Sequence, residues 1–414
     1  MKKIAYFIDY FIKWTLIGSL IGILVGVLSA LFLMALVLVT NFRLAHNWVI
    51  FLLPIVGLSS IFAYQHFGQN ASKGNNLVIA QGQGGSENIP IRLIPLVFIA
   101  TVMAHLTGAS VGREGTAVQM GGALADCLQR LLKLEKNNRK ILITAGMGAG
   151  FSAIFGTPIA GSIFALEVLV AGKLETKSLY PVFLSGIIAD QVARLFPIHH
   201  SSFTVNQIPE LSLLLLIKLF IAGLCFGLVG GLFARLIALL KSRLKEKVNQ
   251  PYLVIFLGSI IIIAFAYFMT TRYLGLSLPI LEDAFSGNSH WYDFIGKFLL
   301  TVFSLGIGFQ GGEVTPLFEI GASLGASLSP LLHLPLTFIV ALGYISVFAA
   351  ATNTPIACLL MGIELFGGDL AVPLFFVIVI SFIFSGKSGI YSAQLSSELL
   401  EEESTPFLQR FFRN

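Results

Sequence analysis

The stretch Gly112-Arg113-Glu114-Gly115-Thr116 returns later in the chain as Gly311-Gly312-Glu313-Val314-Thr315, and the reading of everything else follows from that pair. Downstream of the first motif come Gly121 to Ala123, then Thr157-Pro158-Ile159-Ala160 and, seven residues after that alanine, Glu167. Downstream of the second come Gly321-Ala322, then Thr354-Pro355-Ile356-Ala357 and, again seven residues on, Glu364. The offset drifts from about 199 residues at the first glutamates to about 197 at the last, so one small gap aligns four features in order. That pattern means duplication. Residues 1–200 read as a first membrane repeat, 201–395 as a second, and 396–414 as a short cytoplasmic tail with no soluble regulatory domain. The same alignment sets Glu313 opposite Glu114.

The chain around these motifs is built for lipid. Of its 414 residues 56% are hydrophobic and only 11% charged, with a mean hydropathy of +0.87; a soluble domain carries roughly a quarter charged residues. Apolar stretches at Trp14 to Thr40, Leu211 to Leu240, Tyr252 to Tyr273 and Pro335 to Leu365 reach or exceed the roughly 20 helical residues that cross a bilayer core. The fold class is therefore an all-α polytopic membrane protein with tilted and broken spans. Lys2 and Lys3 lead into a long apolar run with no cleavage site, which reads as a retained first helix and not a signal peptide. The net charge of +5 comes largely from basic clusters at Arg130 to Lys140, Lys173 to Lys177 and Lys241 to Lys247. These place their loops in the cytoplasm and argue for a membrane, not nucleic acid, as the partner. Cys127, Cys225 and Cys358 are scattered with no CxxC pair, so they read as packing residues, and no metal or cofactor is implied.

Gly and Pro interrupt the apolar segments at corresponding places in the two halves, which points to a transporter whose site lies between the repeats. Backbone groups freed by a broken helix must be satisfied inside protein or at a water-lined cavity. The start of each half-helix carries a partial positive charge and unpaired N–H groups that can hold a desolvated anion. An odd number of spans per half requires the halves to be inverted.

Glu114 stands just before a helical segment starting at Gly115, where it can occupy the anion site or, protonated, leave it; the plainer alternative is a helix-end acid stabilised by the dipole. Intramembrane acids are costly, and that favours function. Arg113 is its salt-bridge or interfacial neighbour. Glu313 and Thr315 precede Pro316, which suits a first helical turn, so a second broken-helix site is expected there; the alternative is an N-cap threonine and a loop acid. Two acids at matching positions suggest a proton relay. Gly74-Asn75-Asn76-Leu77-Val78 offers amide donors to a small anion, or is simply an Asn-rich turn. Glu167 and Glu364 end apolar helices and serve either in the site or as polar ends bonded to backbone. His105 receives no role, and Tyr391 alone reads as an interfacial aromatic.

The Gly112 to Thr116 motif, the Thr-Pro-Ile-Ala repeats and the Gly386-Lys387-Ser388-Gly389-Ile390-Tyr391-Ser392-Ala393 run resemble the CLC anion channels and antiporters over nearly the whole chain. The resemblance implies a homodimer, an anion pathway in each protomer and two inverted halves. It also implies that Glu114 matches the external gating glutamate and that Tyr391 lines the anion site. Chloride-selective members carry Gly-Ser-Gly-Ile-Pro where this chain has Gly74 to Val78, and Gly-Ile-Phe-Ala-Pro where it has Gly312 to Pro316. Both replacements resemble the fluoride-exporting branch. The inner proton glutamate of chloride antiporters falls on Val168, which moves that role to Glu313.

Fluoride is smaller and more tightly hydrated than chloride, so a selective site needs several short, strong donors. Asn75, Thr315 and the half-helix starts at Gly115-Thr116 would supply them, with Val314 and Asn76 beside them. An ionised Glu114 and an anion compete for one positive potential, which couples fluoride to protons. The expected function is fluoride export in exchange for protons entering across the cytoplasmic membrane; the alternative is a chloride channel or chloride/proton antiporter of the same fold. An intramembrane enzyme would need a nucleophile or a cluster such as HExxH, and the sequence has neither.

Overall fold

The computed structural model describes residues 2–171, 173–174, 176–198, 200, 202–386 and 389–395. Lys387 and Ser388 of the tyrosine motif, and the whole 396–414 tail, lie outside them. The described helices form two sets of eight. The first comprises α1 (Lys2–Ala45), α2 (Leu53–Phe67), α3 (Asn75–Gly82), α4 (Leu93–Thr107), α5 (Glu114–Leu131), α6 (Arg139–Phe155), α7 (Pro158–Glu167) and α8 (Leu179–Ala193). The second comprises α9 (Leu213–Lys247), α10 (Pro251–Phe268), α11 (Pro279–Ser286), α12 (Asp293–Ile307), α13 (Val314–Leu332), α14 (Leu336–Thr352), α15 (Pro355–Phe366) and α16 (Ala371–Ser385). Helix for helix the sets agree in order, each opening on one very long helix and closing on a broken pair and a final span.

The break between α6 and α7 shows how sequence sets this geometry. Gly156 turns out of the helix with φ of 72°, and Pro158 opens the next helix where its missing N–H costs nothing. In the second half Asn353 takes the same left-handed turn, with φ of 55°, before Pro355. Glycine and asparagine tolerate that conformation best. The apolar stretch from Pro335 to Leu365 is therefore not one span but two helices, α14 and α15.

Small residues then let the helices close up. Gly121 of α5 faces the Gly146 carbonyl of α6, and Gly321 of α13 faces the Gly343 carbonyl of α14; a Cβ on either Gly121 or Gly321 would collide with that oxygen. At the far end of α5 the buried Asp126 accepts a 2.6 Å bond from Arg139 Nε, and the same guanidinium donates to the carbonyls of Gly85 and Glu87.

The halves meet in an antiparallel sense. Gly112 and Gly312 exchange backbone bonds of 2.6 and 2.7 Å, as an antiparallel bridge. Farther off, Glu167 at the end of α7 accepts the Ile356 and Ala357 amides at the start of α15, at 3.0 and 2.8 Å. Glu364 at the end of α15 accepts the Ile159 and Ala160 amides at the start of α7, at 3.0 and 2.7 Å. Each acid thus caps the broken helix of the other repeat, the reciprocity an inverted two-fold produces. Of the two readings open for these glutamates, the structure favours the backbone-bonding one, although the backbone belongs to the opposite half.

Among the described residues five helical segments are long and apolar enough to span a bilayer: Ile8–Ala45, Asn47–Phe67, Leu213–Lys247, Pro251–Phe268 and Gly368–Ser385. The 44 residues of α1 correspond to roughly 66 Å of helix at about 1.5 Å per residue, twice a hydrocarbon core of about 30 Å, so this helix must tilt or project. Its Leu16 and Leu38 and the Tyr267 and Phe268 pair of α10 are exposed, as lipid-facing side chains are.

Candidate functional site

The two half-helices that start at Glu114 and Val314 converge on one carboxylate. Glu114 is fully buried; its Oε2 accepts the backbone N–H of Thr315 and of Arg113, both at 3.1 Å, and its Oε1 accepts the Thr315 hydroxyl. Arg113 Nε lies 3.6 Å from the same Oε1. A side chain from the first repeat therefore occupies the donors at the head of the second repeat's helix. Pro316 has no N–H, so the amides left at this helix start are those of Val314 and Thr315. Gly312 rides directly over the head of α5, where a Cβ would come within 2.8 Å of the Gly115 nitrogen and 3.0 Å of the Glu114 nitrogen.

This arrangement corrects the repeat register. Gly112 pairs with Gly312, and α5 and α13 begin at Glu114 and Val314, so the offset is 200 here and 197 only from α6 and α14 onward. Glu313 is the counterpart of Arg113, and Val314 of Glu114. Matching glutamate to glutamate slipped the alignment by one residue, because the halves are aligned by a hydrogen-bonded glycine pair and not by their acids. The two acids still share one region: Lys241 and Glu114 are the charged groups that bear on Glu313, whose Oε2 is buried without a partner.

Asn75 opens α3, after Gly74 with φ of 55°. Its Nδ2 sits against Gly115, 2.6 Å from where a Cβ would project, and its Oδ1 is buried and unpaired. Asn75, Gly115, Glu114 and Thr315 are thus brought together. Asn76 is used differently: its Oδ1 accepts the Ala393 amide at 3.0 Å, tying α3 to the strand of chain that carries Tyr391. Thr116 spends its hydroxyl on Thr101 of α4, at 2.8 Å, leaving its backbone N–H at the head of α5. Tyr391 is buried, meets Phe164 edge-on at 6.2 Å between ring centroids, and lies within the electrostatic reach of Glu313 and Glu114.

On one side Arg113 and Thr315 line a small void with Phe155, His200, Phe318 and Tyr344. Arg113 also lines a cavity of about 320 Å³ together with Arg43, Arg272 and Ser277. The residue at the head of one half-helix is basic and faces this cavity; its counterpart in the other half is the acid Glu313.

Sequence reasoning passed over one cluster. Lys297 of α12 and Glu319 of α13 are both fully buried and lie 2.9 Å apart, with Ser277 between them. A lone lysine in Asp293–Ile307 and a glutamate four residues past Thr315 were the available signals, since charges inside apolar helices are seldom idle. His105 bonds the Thr101 carbonyl through Nδ1 at 2.8 Å, while its Nε2 is buried and unpaired.

Two inverted sets of eight helices, joined where broken helices present their amino ends to a buried carboxylate, define a multi-pass membrane protein of the channel and transporter class. The chain belongs to the CLC family: the voltage-gated chloride channel family model matches residues 55–386. It is 42% identical over 373 residues to a chloride/fluoride channel protein of Pseudomonas syringae pv. tomato, covering 88% of this chain and 82% of that one. The crystal structure of a CLC-type fluoride/proton antiporter superposes with a TM-score of 0.91 at 37% identity, covering 94% of this chain and 98% of the other. A slow cyanobacterial Cl-/H+ antiporter shares the fold at a TM-score of 0.82 and 21% identity.

Proposed function

We propose that this protein exports fluoride in exchange for protons. The observation that carries the proposal is that Glu114 accepts both the amide and the hydroxyl of Thr315, the donors a small anion would need, with the Asn75 amide against the adjoining helix start. Similarity to a chloride/fluoride channel protein and to a fluoride/proton antiporter supports fluoride over chloride as the exchanged anion.

In this reading the ionised Glu114 and fluoride compete for one set of donors. Protonation removes the charge that strengthens the bonds from the Thr315 amide and hydroxyl and turns one oxygen into a donor, so the hold on Glu114 weakens; the side chain leaves and fluoride enters. Glu114 thereby carries a proton one way while fluoride moves the other, and the competition itself is the coupling. Glu313, unpaired at one oxygen and within the electrostatic influence of Lys241, serves as the inner acid. Asn75, Thr315, Tyr391 and the Gly115-Thr116 amides form the anion site, flanked by Arg113, Val314 and Asn76. The repeats 1–200 and 201–395 form the two walls of the pathway. The basic loop between α5 and α6 puts that end in the cytoplasm, so the Arg43–Arg113 cavity opens outward.

The protein works as a homodimer in the cytoplasmic membrane, surrounded by lipid, as a transporter and not an enzyme. Fluoride efflux from proteoliposomes, followed with a fluoride electrode alongside internal pH, tests the proposal. Fluoride leaving much faster than chloride and driving protons uphill, with the coupled flux lost in Glu114→Gln and Glu313→Gln, is the expected result. Chloride moving as readily, or fluoride moving without protons, overturns it.

A further inference from the structure

The Lys297–Glu319 pair is an unusual expense inside a membrane protein. Both side chains are fully buried, and replacing such a pair by apolar groups is often neutral or stabilising. Its hydrogen bonding is lopsided. The ammonium has three donors, and all are used: on Gly275 O at 2.9 Å, Ser277 Oγ at 2.6 Å and Glu319 Oε2 at 2.9 Å. Ser277 in turn donates to the same Oε2 at 3.2 Å. Glu319 Oε1 receives nothing and is buried. Lys297 has no donor left to turn toward it.

The position of that idle oxygen gives it meaning. Glu319 follows Thr315 by four residues on α13, so their side chains are neighbours on one helix face, about 5 to 6 Å apart at Cβ. Thr315 is the residue whose amide and hydroxyl hold Glu114. A protonated Glu114 that gives up those donors becomes a donor itself and needs a buried acceptor nearby. The titratable groups acting on or with Glu319 are Lys297 from α12, Glu114 from α5 and Tyr344 from α14.

We propose that Glu319 is the hydrogen-bond acceptor for protonated Glu114: when Glu114 leaves Thr315, its acid O–H is received by Glu319 Oε1, a carboxylate oxygen that Lys297 and Ser277 hold in place. Glu319 is a positioning residue, acting on transport through Glu114 alone. This rests on the reading of Glu114 as the group that exchanges with fluoride.

Two variants test it: Glu319→Leu, which removes the acceptor at similar size, and Lys297→Met/Glu319→Leu, which removes both buried charges and so guards against misfolding from an unpaired lysine. Protons moved per fluoride in proteoliposomes are expected to fall about tenfold in both, the loss that matches one hydrogen bond to a charged group. A native ratio in the folded double variant overturns the proposal. Independently, infrared spectra of the detergent-solubilised protein report the C=O stretch of protonated Glu114, recognised by its disappearance in Glu114→Gln. The band is expected to shift in both Glu319 variants; a band at the native frequency overturns the contact. Should the native chain move fluoride without protons, the exchange reading fails, while the infrared band still decides whether Glu319 receives Glu114.

Discussion

The Glu114 carboxylate, which belongs to the first repeat, is held by the amide and the hydroxyl of Thr315 in the second. This contact is one of those that join the two halves and, in the proposed exchange, the one an anion must displace. Thr315→Val removes the hydroxyl and keeps the shape. The concentration of fluoride giving half-maximal efflux is expected to rise about tenfold, the effect of losing one hydrogen bond to a charge, with Thr315→Ser close to native.

Asn75 presents its amide beside Gly115. Replacing it by Ser shortens the donor and withdraws it from the helix start. Efflux of fluoride relative to chloride is expected to fall by about tenfold in Asn75→Ser, since the more strongly hydrated ion loses more when a donor goes. An unchanged ratio in paired anion-flux recordings would exclude Asn75 from the site.

Gly312 is irreplaceable for reasons of space. In Gly312→Ala the new Cβ falls within 2.8 Å of the Gly115 nitrogen and 3.0 Å of the Glu114 nitrogen, all backbone, so the half-helices must part. Overpacking of this kind costs about 1 to 3 kcal/mol, and both the unfolding temperature in detergent and fluoride flux are expected to drop. Gly84→Ala, with open space around its Cβ but φ of 102°, is expected to cost about 1 kcal/mol through backbone strain while transport survives.

The reciprocal caps predict an asymmetric pair of effects. Glu167 is fully buried, whereas Glu364 is partly exposed. Glu167→Ala leaves the buried Ala357 amide and the more exposed Ile356 amide without partners and is expected to destabilise by about 1 to 3 kcal/mol; Glu364→Ala strands amides that water reaches more easily and is expected to cost less. Thermal unfolding of the two variants side by side checks the order.

Two ion pairs with similar bond lengths should behave oppositely. Lys73 and Glu87 are 2.6 Å apart with both side chains about half exposed, and Glu87→Gln is expected to change stability by less than about 1 kcal/mol. Asp126 and Arg139 are also 2.6 Å apart, but the aspartate is 1% exposed. Asp126→Ala leaves the Arg139 guanidinium, itself 18% exposed, without its carboxylate, and a loss of about 1 to 3 kcal/mol is expected in unfolding measurements.

The sequence by itself determined the membrane class, the duplication, the broken helices and the residues around Glu114, because these rest on local signals: hydropathy over a span, Gly and Pro where a helix must stop, an acid where an apolar run should have none. Its register at the centre was one residue out, since identical side chains at Glu114 and Glu313 outweighed the glycines that pair across the repeats. Only the tertiary structure decided that Glu114 rests on Thr315, that Glu167 and Glu364 cap each other's repeat, and that Lys297 meets Glu319. Each of these contacts joins segments far apart in the chain, from 22 residues for Lys297 and Glu319 to 205 for Ile159 and Glu364. No local pattern encodes such a meeting; it appears only when inverted halves are packed against each other and the buried donors must find acceptors.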